Sequence, residues 1–347
     1  MRIGFDGKRA VQNFTGLGNY SRYVIDILYR FAPENEYVLY APRRRLSRVF
    51  DELLYRCPLL KTIYPEGMWR HFKSLWRAWG MTSRLDKEGI DLFHGLSNEL
   101  PLTIRKARHT RSVVTIHDLI FLRYPEYYQW IDRKIYAYKF RKACEYADLV
   151  IAISECTKRD IISYFHIPEE KIKVVYQGCD VSFTIPATDE KKQEVREKYS
   201  LPEHYILNVG SIEERKNVLL AVKSLLRLPE EMHLVILGRR TAYTDRIDEF
   251  IHAHHLEERV KILNGVPFAD LPAIYQQAKV FVYPSRFEGF GIPIIEAIYS
   301  GIPVVAATGS CLEEAGGPAS IYVHPNDVEG MAEALKQVSG NQIVRAR

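Results

Sequence analysis

The fold of this chain is decided by residues 287–297, FEGFGIPIIEA, which are followed by GIPVV at residues 301–305. The β-branched and aromatic run at residues 280–284 predicts a strand before the glycine-containing loop. Pro293 suits the first position of a helix, because its missing N–H would be unpaired there in any case. Gly301 ends that helix, and the proline two residues later prevents it from resuming. The stretch therefore predicts one βαβ unit.

Two glutamates lie at the ligand-binding edge of this predicted unit. Glu288 falls in the loop at the carboxyl end of the strand and Glu296 in the first turn of the helix, and open α/β sheets bind ligands at that edge. Taken singly, Glu296 could merely complement the helix dipole, and Glu288 could be an exposed loop acid. The Gly-Phe-Gly spacer lets a ligand approach the main chain, and carboxylates accept hydrogen bonds from sugar hydroxyls. Together these features favour a site for a sugar and a phosphate.

Composition places the chain among globular proteins with two domains. Its 347 residues are 47% hydrophobic and 26% charged, and no apolar run approaches the ~20 residues that span a bilayer. The N-terminus starts as a strand rather than a signal peptide, and five scattered cysteines favour reduced thiols in a cytoplasm. Residues 1–185 carry 30 Lys and Arg against 21 Asp and Glu, a net charge of +9, whereas residues 186–347 carry 18 against 22, a net charge of −4. The first half is therefore expected to meet an anionic partner.

Strands alternate with helical stretches along the whole chain, a pattern that predicts parallel sheets covered by helices. The predicted strands lie near residues 2–6, 36–40, 91–94, 112–116, 149–153, 172–176, 205–210, 233–237, 260–263, 280–283, 303–306 and 320–323. The fold class is therefore α/β, with two Rossmann-like parallel-sheet domains in series. Residues 180–190 lack periodicity and contain the predicted linker. The first domain is expected to span residues 1–182, the linker 183–190 and the second domain 191–347.

The loop after the strand at residues 205–210 carries two cations, Arg215 and Lys216. Asn217 is expected to cap the helix that follows. Cations at a helix N-terminus oppose the helix dipole, so a bound anion would explain why they are there. Arg grips a diphosphate in a bidentate fork and Lys adds a compact charge, although a solvated surface pair explains the dipeptide equally well. A third loop, at residues 308–314, could also offer its N–H groups to an anion.

Three candidate sites follow strands of the first half. Residues 15–20, TGLGNY, open a helix and are interpreted as a glycine-rich loop over a phosphate or sugar; the alternative is a simple strand-to-helix turn. His117 and Asp118 end a buried strand, where a polar pair favours a site over a capped strand end. Ser154 and Glu155 end the next strand in the same way, but Ser154 is equally suitable as a helix N-cap.

The run at residues 68–79, MWRHFKSLWRAW, is typical of an interfacial amphipathic helix. Its aromatic residues at helical spacing are Trp69, Phe72, Trp76 and Trp79. The basic patch continues in Arg43, Arg44, Arg45 and Arg48. Such a surface could contact anionic lipids, and the alternative is an ordinary core-packing helix with a solvated face. Nucleic acid is disfavoured, since the charge excess is modest and no nucleic-acid-binding module is evident.

The ordered set of these motifs resembles the retaining glycosyltransferases of family four. The matching elements are GLGNY at 16–20, TIHD at 115–118, ISECTK at 153–158, VVYQGCD at 174–180, the loop at 209–217 and the Glu-x7-Glu element at 288–296. The resemblance implies the GT-B fold, in which two Rossmann-like domains face each other across a cleft. Residues 115–126 are also similar to bacterial mannosyltransferases of surface-polysaccharide assembly. The family usually has a further C-terminal helix that crosses back to the first domain, and this helix is not evident after residue 340.

The resemblance implies a role for each matching residue. Arg215 and Lys216 would bind the donor diphosphate and take part in catalysis. Glu288 would hold hydroxyls of the donor sugar, Glu296 the nucleotide ribose, and His117 the sugar near the reacting centre. Further donor contacts are implied for Gly16, Gly18, Gly210, Asn217, Val266, Phe290, Gly291, Ile292 and Leu312. No metal is implied, because in this family the two cations and the helix dipole stabilise the departing diphosphate.

The implied activity is transfer of a hexose from a nucleotide-diphospho-sugar to an acceptor hydroxyl, with the anomeric configuration retained. GDP-mannose is the first expected donor and a UDP-sugar the second, and no cofactor is expected. The acceptor would be a glycan or a lipid-linked saccharide. The expected location is the cytoplasm, with the basic and aromatic surface on the inner face of the cell membrane. Two alternatives stay open: a sugar-nucleotide epimerase of the same fold, and a non-catalytic, membrane-associated protein that binds sugar nucleotides.

Overall fold

The computed structural model describes residues 1–44 and 47–340. Within these residues the chain forms two compact units that divide between Val175 and Tyr176. Each unit is built on one parallel β-sheet with helices packed against it. The predicted fold class, two Rossmann-like parallel-sheet domains, is therefore confirmed. Arg45 of the predicted basic patch lies outside the described residues, as do residues 341–347.

The first unit contains a seven-stranded parallel sheet in the order β3-β2-β1-β4-β5-β6-β7. Its strands are β1 Arg2–Asp6, β2 Glu36–Tyr40, β3 Lys61–Ile63, β4 Leu92–Gly95, β5 Arg111–Ile116, β6 Leu149–Ala152 and β7 Ile172–Val174. Alternate residues of β2 enter two different cores: Tyr37 and Leu39 belong to one, Val38 and Tyr40 to the other. The sheet is therefore buried on both faces, as its near-continuous apolar strands predict.

The sheet order of the first unit places β1 beside β4 and β4 beside β5, so the loops after these strands meet at one edge. The helices of this unit are α1 Lys8–Gln12, α2 Gly16–Phe31, α3 Arg48–Arg56, α4 Lys73–Leu75, α5 Thr82–Lys87, α6 Ile120–Arg123, α7 Trp130–Tyr146 and α8 Glu155–Phe165. Six of the seven strands were predicted. The edge strand β3 was missed, because its three residues include Lys61 and Thr62 and so form no apolar run.

The second unit contains a six-stranded parallel sheet in the order β10-β9-β8-β11-β12-β13. Its strands are β8 Tyr205–Val209, β9 His233–Leu237, β10 Val260–Leu263, β11 Val280–Tyr283, β12 Val304–Ala307 and β13 Ile321–Val323. Its helices are α9 Asp189–Tyr199, α10 Val218–Ser224, α11 Thr244–Ala253, α12 Leu271–Gln277, α13 Ile292–Tyr299, α14 Leu312–Gly316 and α15 Val328–Gly340. All six predicted strands are confirmed to within one residue. The loops after β8, β11 and β12 meet at one edge of this sheet.

The predicted linker residues pack on the second unit. A short 3-10 turn covers Val181–Thr184, and its Phe183 is buried against the rings of Phe268 and Tyr275, at centroid separations of 5.9 and 5.3 Å. Thr188 then caps α9, because its hydroxyl oxygen accepts a hydrogen bond from the Lys191 N–H at 3.2 Å. The predicted domain limits, 1–182 and 191–347, stay a prediction beside these observations.

The predicted amphipathic helix at residues 68–79 is wrong. The run instead forms a 3-10 turn at Gly67–Arg70, the single turn α4 and a π-turn at Trp76–Gly80. Trp76 is only 2% exposed, whereas Phe72 and Trp79 are 50% and 49% exposed. The aromatic residues therefore do not share one face, because Trp76 packs in the core of the first unit.

Arg77, another member of that run, is also buried. Its Nη2 lies 2.7 Å from Asp6 Oδ2, and its Nη1 lies 3.0 Å from Glu99 Oε2. Asp6 ends β1 and Glu99 follows β4, so the guanidinium ties together two loops at the carboxyl edge of the sheet. Helical spacing could not reveal this role, because both partners are remote in sequence.

Candidate active site

Glu288 and two cations form a buried ion cluster in the second unit. Glu288 follows β11, and its Oε2 lies 3.0 Å from Arg215 Nη1, while its Oε1 lies 2.5 Å from Lys216 Nζ. Oε1 also accepts hydrogen bonds from the hydroxyls of Ser285, at 2.5 Å, and Tyr283, at 3.3 Å. Three of these contacts fall on Oε1 and one on Oε2, so Oε2 keeps acceptor capacity for a further hydrogen bond. A sugar hydroxyl, the ligand that the sequence predicts for Glu288, could donate to Oε2 without displacing a partner.

The charges of this cluster are stabilised by one another. Burial by itself would raise the pKa of Glu288, but Lys216 and Arg215 more than offset it and hold that pKa at about 2. Burial would likewise lower the pKa of Lys216, but Glu288 keeps it above its ordinary value. All three groups are therefore charged at neutral pH, and the cluster carries one net positive charge. Such a site attracts an anion.

The two cations are positioned by a tight loop between β8 and α10. Gly210 has a φ of +152°, and the loop closes in a 3-10 turn at Glu214–Lys216. Gly238 makes room for this loop, because a Cβ there would lie 1.8 Å from the Gly210 carbonyl oxygen. The Arg215 guanidinium also donates a short hydrogen bond to the Phe287 carbonyl. The loop after β8 is thereby joined to the loop that carries Glu288.

The predicted role of Asn217 as a helix N-cap is corrected by the structure. Asn217 precedes α10 in a left-handed conformation, with φ 55°, and its side chain makes no capping hydrogen bond. Its Nδ2 instead donates to the carbonyl oxygens of Pro284 and Pro325, at 3.0 and 2.8 Å. Asn217 therefore connects the loop after β8 to the loops after β11 and β13.

Glu296 lies eight residues after Glu288 in a different environment. Helix α13 begins at Ile292, so Pro293 is its second residue and Glu296 lies in its second turn, one turn later than predicted. The Tyr275 hydroxyl donates a hydrogen bond of 2.7 Å to Glu296 Oε2. Burial raises the pKa of Glu296 to about 7; the hydrogen bond from Tyr275 opposes this shift, and the charge of Asp180 adds to it. Glu296 therefore changes its charge near neutral pH.

The start of α14 packs against the loop between the two glutamates. Gly291 has a φ of +115°, and a Cβ there would lie 3.1 Å from Leu312 Cδ2, so Leu312 packs directly under the glycine. The buried Cys311 Sγ lies 3.1 Å from the carbonyl oxygens of both Glu288 and Phe290. The ring of Phe290 stacks on Tyr176 at a centroid separation of 5.5 Å.

Two further predicted donor contacts lie near the same sheet edge. Ile292 is the half-buried first residue of α13, and Val266 is half-buried in the loop after β10, two strands from β8. In the loop at 308–314, the Gly309 N–H and the Thr308 hydroxyl both donate to Glu313 Oε1, the first at 3.1 Å. Part of the predicted anion nest is thus filled by a carboxylate of the chain itself.

His117 lies directly after β5 in the first unit and is buried. Its Nε2 is 2.9 Å from the Leu96 carbonyl oxygen, so the proton of a neutral imidazole lies on Nε2 and Nδ1 is the acceptor. Burial lowers the pKa of His117 to about 4, against the opposing effect of the Leu96 hydrogen bond. The ring of Tyr20 contacts this imidazole edge-on at 4.6 Å. His117 is therefore a neutral hydrogen-bonding group at neutral pH.

The glycine-rich loop of the first unit is a tight turn into α2. The Gly18 N–H donates to the Thr15 carbonyl at 2.9 Å, and a Cβ on Gly18 would lie 1.9 Å from the Asn13 carbonyl oxygen. Gly16 begins α2, and open space surrounds the position of its missing Cβ. Ser154 is confirmed as the N-cap of α8, since its Oγ accepts from the Thr157 N–H at 3.0 Å.

The structure thus places Arg215, Lys216 and Glu288 in direct contact. Other members of the second-unit site were not predicted from the sequence, namely Tyr275, Tyr283, Ser285 and Cys311. Tyr283 and Ser285 could have been suspected from their position at the end of a predicted strand. Cys311 lies in the predicted anion loop at 308–314, but its side-chain contact with the loop of Glu288 was not predicted, and Tyr275 comes from a part of the chain that carries no such signal.

Residues 1–44 and 47–340 contain no group of three or more His, Cys, Asp and Glu side chains that could hold a metal ion. Over the same residues, no helix combines the length and apolar composition needed to cross a bilayer. Four of the five cysteines are buried.

Comparison with known proteins gives this fold and site a class. The sequence pattern described as Glycosyltransferase Family 4 matches residues 21–183, and the one described as Glycosyl transferases group 1 matches residues 189–347. The fold is that of the GT-B glycosyltransferases. Anabaena HepE, solved in complex with UDP and glucose, superposes with a TM-score of 0.76 at 18% identity, over 99% of this chain and 91% of HepE.

Sequence relatives sharpen the assignment. O-antigen chain mannosyltransferase B of Escherichia coli is 32% identical over 281 residues, which are 78% of this chain and 71% of that protein. O-antigen chain mannosyltransferase RfbU of Salmonella typhimurium is 28% identical over 225 residues, 65% of this chain and 60% of RfbU. The chain belongs to glycosyltransferase family 4, and it is a glycosyltransferase.

Proposed function

We propose that this protein transfers mannose from a nucleotide-diphospho-sugar to a glycan hydroxyl during synthesis of a surface polysaccharide. The observation that carries the proposal is the buried cluster of Arg215, Lys216 and Glu288, whose net positive charge suits a diphosphate. The choice of mannose rests on the two O-antigen mannosyltransferases to which the chain is similar. GDP-mannose is therefore the proposed donor, and a UDP-sugar is the second choice.

The cluster suits catalysis by electrostatic stabilisation. Negative charge grows on the diphosphate as the bond to the sugar breaks, and fixed cations stabilise the transition state without reorganising. Arg215 and Lys216 supply this charge in the proposal, and Glu288 keeps them oriented in the absence of a ligand. The same charges would be supplied without a metal ion, so we propose metal-independent transfer.

The remaining site residues receive roles that fit their protonation. Neutral His117 would contact the sugar near the reacting centre without adding a charge. Glu296 would accept hydrogen bonds from ribose hydroxyls when it is ionised. Glu288 is held between Arg215 and Lys216 and is assigned to sugar hydroxyls, so we propose retention through same-face attack on an oxocarbenium-like centre, with the leaving phosphate taking the acceptor proton.

The test is a donor panel. GDP-mannose, UDP-glucose and UDP-galactose are each incubated with a mannose-terminated oligosaccharide, with and without EDTA, and product anomers are assigned by NMR. The proposal predicts α-linked product from GDP-mannose that EDTA does not diminish. Inverted product, a requirement for metal, or turnover of a UDP-sugar alone would contradict the corresponding part of it. Conversion of a sugar nucleotide without acceptor would indicate an epimerase.

We also propose that the first unit contacts an anionic membrane surface on the cytoplasmic side. A cavity of about 770 Å³ is lined by six cations, namely Arg43, Arg44, Lys61, Arg70, Lys73 and Arg84, against the two acids Glu66 and Glu88. Four exposed apolar side chains lie in the adjoining segment, namely Met68, Phe72, Leu75 and Trp79. Basic and apolar groups together favour binding at a lipid headgroup layer.

Vesicle sedimentation tests this contact. Binding should be strong to vesicles containing phosphatidylglycerol and weak to pure phosphatidylcholine. The variant Arg70→Gln/Lys73→Gln should lose most of it, because it removes two charges from the cavity. The control Arg105→Gln/Lys106→Gln removes two exposed charges elsewhere in the same unit and should retain binding. Equal losses in the two variants would indicate an unspecific charge effect.

A further inference from the structure

Tyr275 comes from helix α12, outside every motif of the sequence, yet its hydroxyl reaches Glu296. We propose that Tyr275 is a positioning residue for donor binding, which orients the Glu296 carboxylate for the ribose through its hydroxyl. This inference rests on the proposed role of Glu296 in binding the donor nucleotide. It adds a second residue, remote in sequence, on which that role depends.

The ring of Tyr275 is fixed by the core of the second unit. The side chain is fully buried, and its ring contacts Phe183 edge-on at 5.3 Å and stacks on Phe281 at 5.5 Å. The hydroxyl therefore has a single direction, toward Glu296 Oε2 at 2.7 Å. Oε1 and the second lone pair of Oε2 are the acceptors that neighbouring ribose hydroxyls require.

The groups around Glu296 shift its pKa in opposite directions. Asp180 and Cys179 face it from the segment before Val181, and an acidic neighbour disfavours a second negative charge. The Tyr275 hydroxyl donates to Glu296 from α12 and favours the ionised form of the carboxylate. Tyr283 on β11 interacts electrostatically with Tyr275. Burial keeps the pKa of Tyr275 well above its usual value, so its hydroxyl stays a donor.

The variant Tyr275→Phe separates this role from packing. It preserves the ring and removes only the hydroxyl, so the Glu296 carboxylate loses its donor and is protonated at higher pH. We expect GDP and UDP, whichever binds the wild type, to bind the variant about tenfold more weakly at pH 6.5. The loss should be smaller at pH 8.5, where the carboxylate is ionised in both proteins.

The experiment is a calorimetric titration of GDP and UDP at pH 6.5, 7.5 and 8.5. The quantity compared is the ratio of the variant Kd to the wild-type Kd at each pH, since titration of the nucleotide phosphate cancels in that ratio. Tyr322→Phe is the matched control: it removes a half-buried hydroxyl that donates to the Gly317 carbonyl at 2.7 Å in the same unit. Its ratio should stay at one at every pH.

Two results would overturn the inference, and they are distinguishable. A Tyr275→Phe ratio of one, or one that does not change with pH, while Glu296→Gln weakens binding, would leave Tyr275 a packing residue and the ribose role of Glu296 intact. Unchanged binding by Glu296→Gln would remove the ribose role itself, and the inference with it. A ratio that grows as the pH falls, with Tyr322→Phe unchanged, supports it.

Discussion

Glu288 and Glu296 belong to one motif and are separated by eight residues, but their surroundings give them opposite electrostatics. Glu288 is paired with two cations, and its pKa is held at about 2. Glu296 is half-buried, accepts a hydrogen bond from a neutral tyrosine and lies near Asp180, and its pKa is raised to about 7. Desolvation favours the neutral acid in both places, and only the first has cations to reverse it. One glutamate is thus permanently charged, and the other senses pH.

The largest effect is expected when Glu288, the permanently charged glutamate, is replaced. Glu288→Gln keeps the shape of the side chain but leaves Arg215 and Lys216 without their counter-charge. We expect a loss of about 3–5 kcal/mol in the free energy of unfolding and a fall in kcat of about a hundredfold or more. Urea unfolding and steady-state kinetics measure the two quantities.

A double variant tests whether the cluster acts as a unit. Glu288→Gln with Lys216→Met removes one charge of each sign, so its loss of stability should be smaller than the sum of the two single losses by at least about 1 kcal/mol. The control Glu333→Gln breaks an exposed pair with Lys336, 2.9 Å apart, and should change neither stability nor kcat measurably. Additive losses would mean that Glu288 and Lys216 act independently.

The second prediction concerns Glu296, the glutamate whose charge depends on pH. Because only ionised Glu296 accepts from both ribose hydroxyls, donor nucleotide affinity should rise with pH and level off above about pH 7. The ratio of wild-type to Glu296→Gln affinity should therefore rise about tenfold between pH 6 and pH 8. A calorimetric pH series measures it, and a flat ratio would show that the charge of Glu296 plays no part in binding.

The third prediction compares the two glutamates through stability. The folded state binds the Glu296 proton more tightly than the unfolded chain, so this residue costs stability as the pH rises from about 4.5 through 7. Glu288 has the opposite sign: its contribution is present above the pKa of the unfolded chain and is lost as the pH falls toward 2. The free energy of unfolding of Glu296→Gln, taken relative to wild type, should rise by on the order of 2 kcal/mol between pH 5 and pH 8. Urea midpoints at both pH values test the sign.

The smallest effect is expected at Tyr283, the tyrosine that contacts Glu288. Its hydroxyl lies 3.3 Å from Glu288 Oε1 and accepts from Lys216 at 2.8 Å. Since Arg215 and Lys216 already hold the carboxylate, Tyr283→Phe should change donor affinity by about threefold or less and leave its pH dependence as in wild type. A pH shift as large as the one predicted for Tyr275→Phe would remove the distinction between the two sites.

Much of the framework could be predicted from local sequence. The strands β8 to β13 are short, mostly apolar runs of three to five residues, and their limits were predicted to within a residue. Arg215, Lys216 and Glu288 follow two of these strands, so their location at one sheet edge also followed from the pattern. The exposed patch at 68–79 was mispredicted, because helical spacing does not show that Trp76 enters the core or that Arg77 pairs with remote acids.

The sequence by itself determined the two parallel sheets, the loops at their carboxyl edges and the charged residues on those loops, because strand and helix periods, glycines and prolines act locally. Only the tertiary structure decided which charges meet. Glu288 contacts Arg215 and Lys216 only in the folded chain. Asn217 hydrogen-bonds to neighbouring loops instead of capping a helix, and the Tyr275 hydroxyl contacts Glu296. Burial and charge partners depend on residues distant in the chain, and they alone set one glutamate charged and the other near its point of titration.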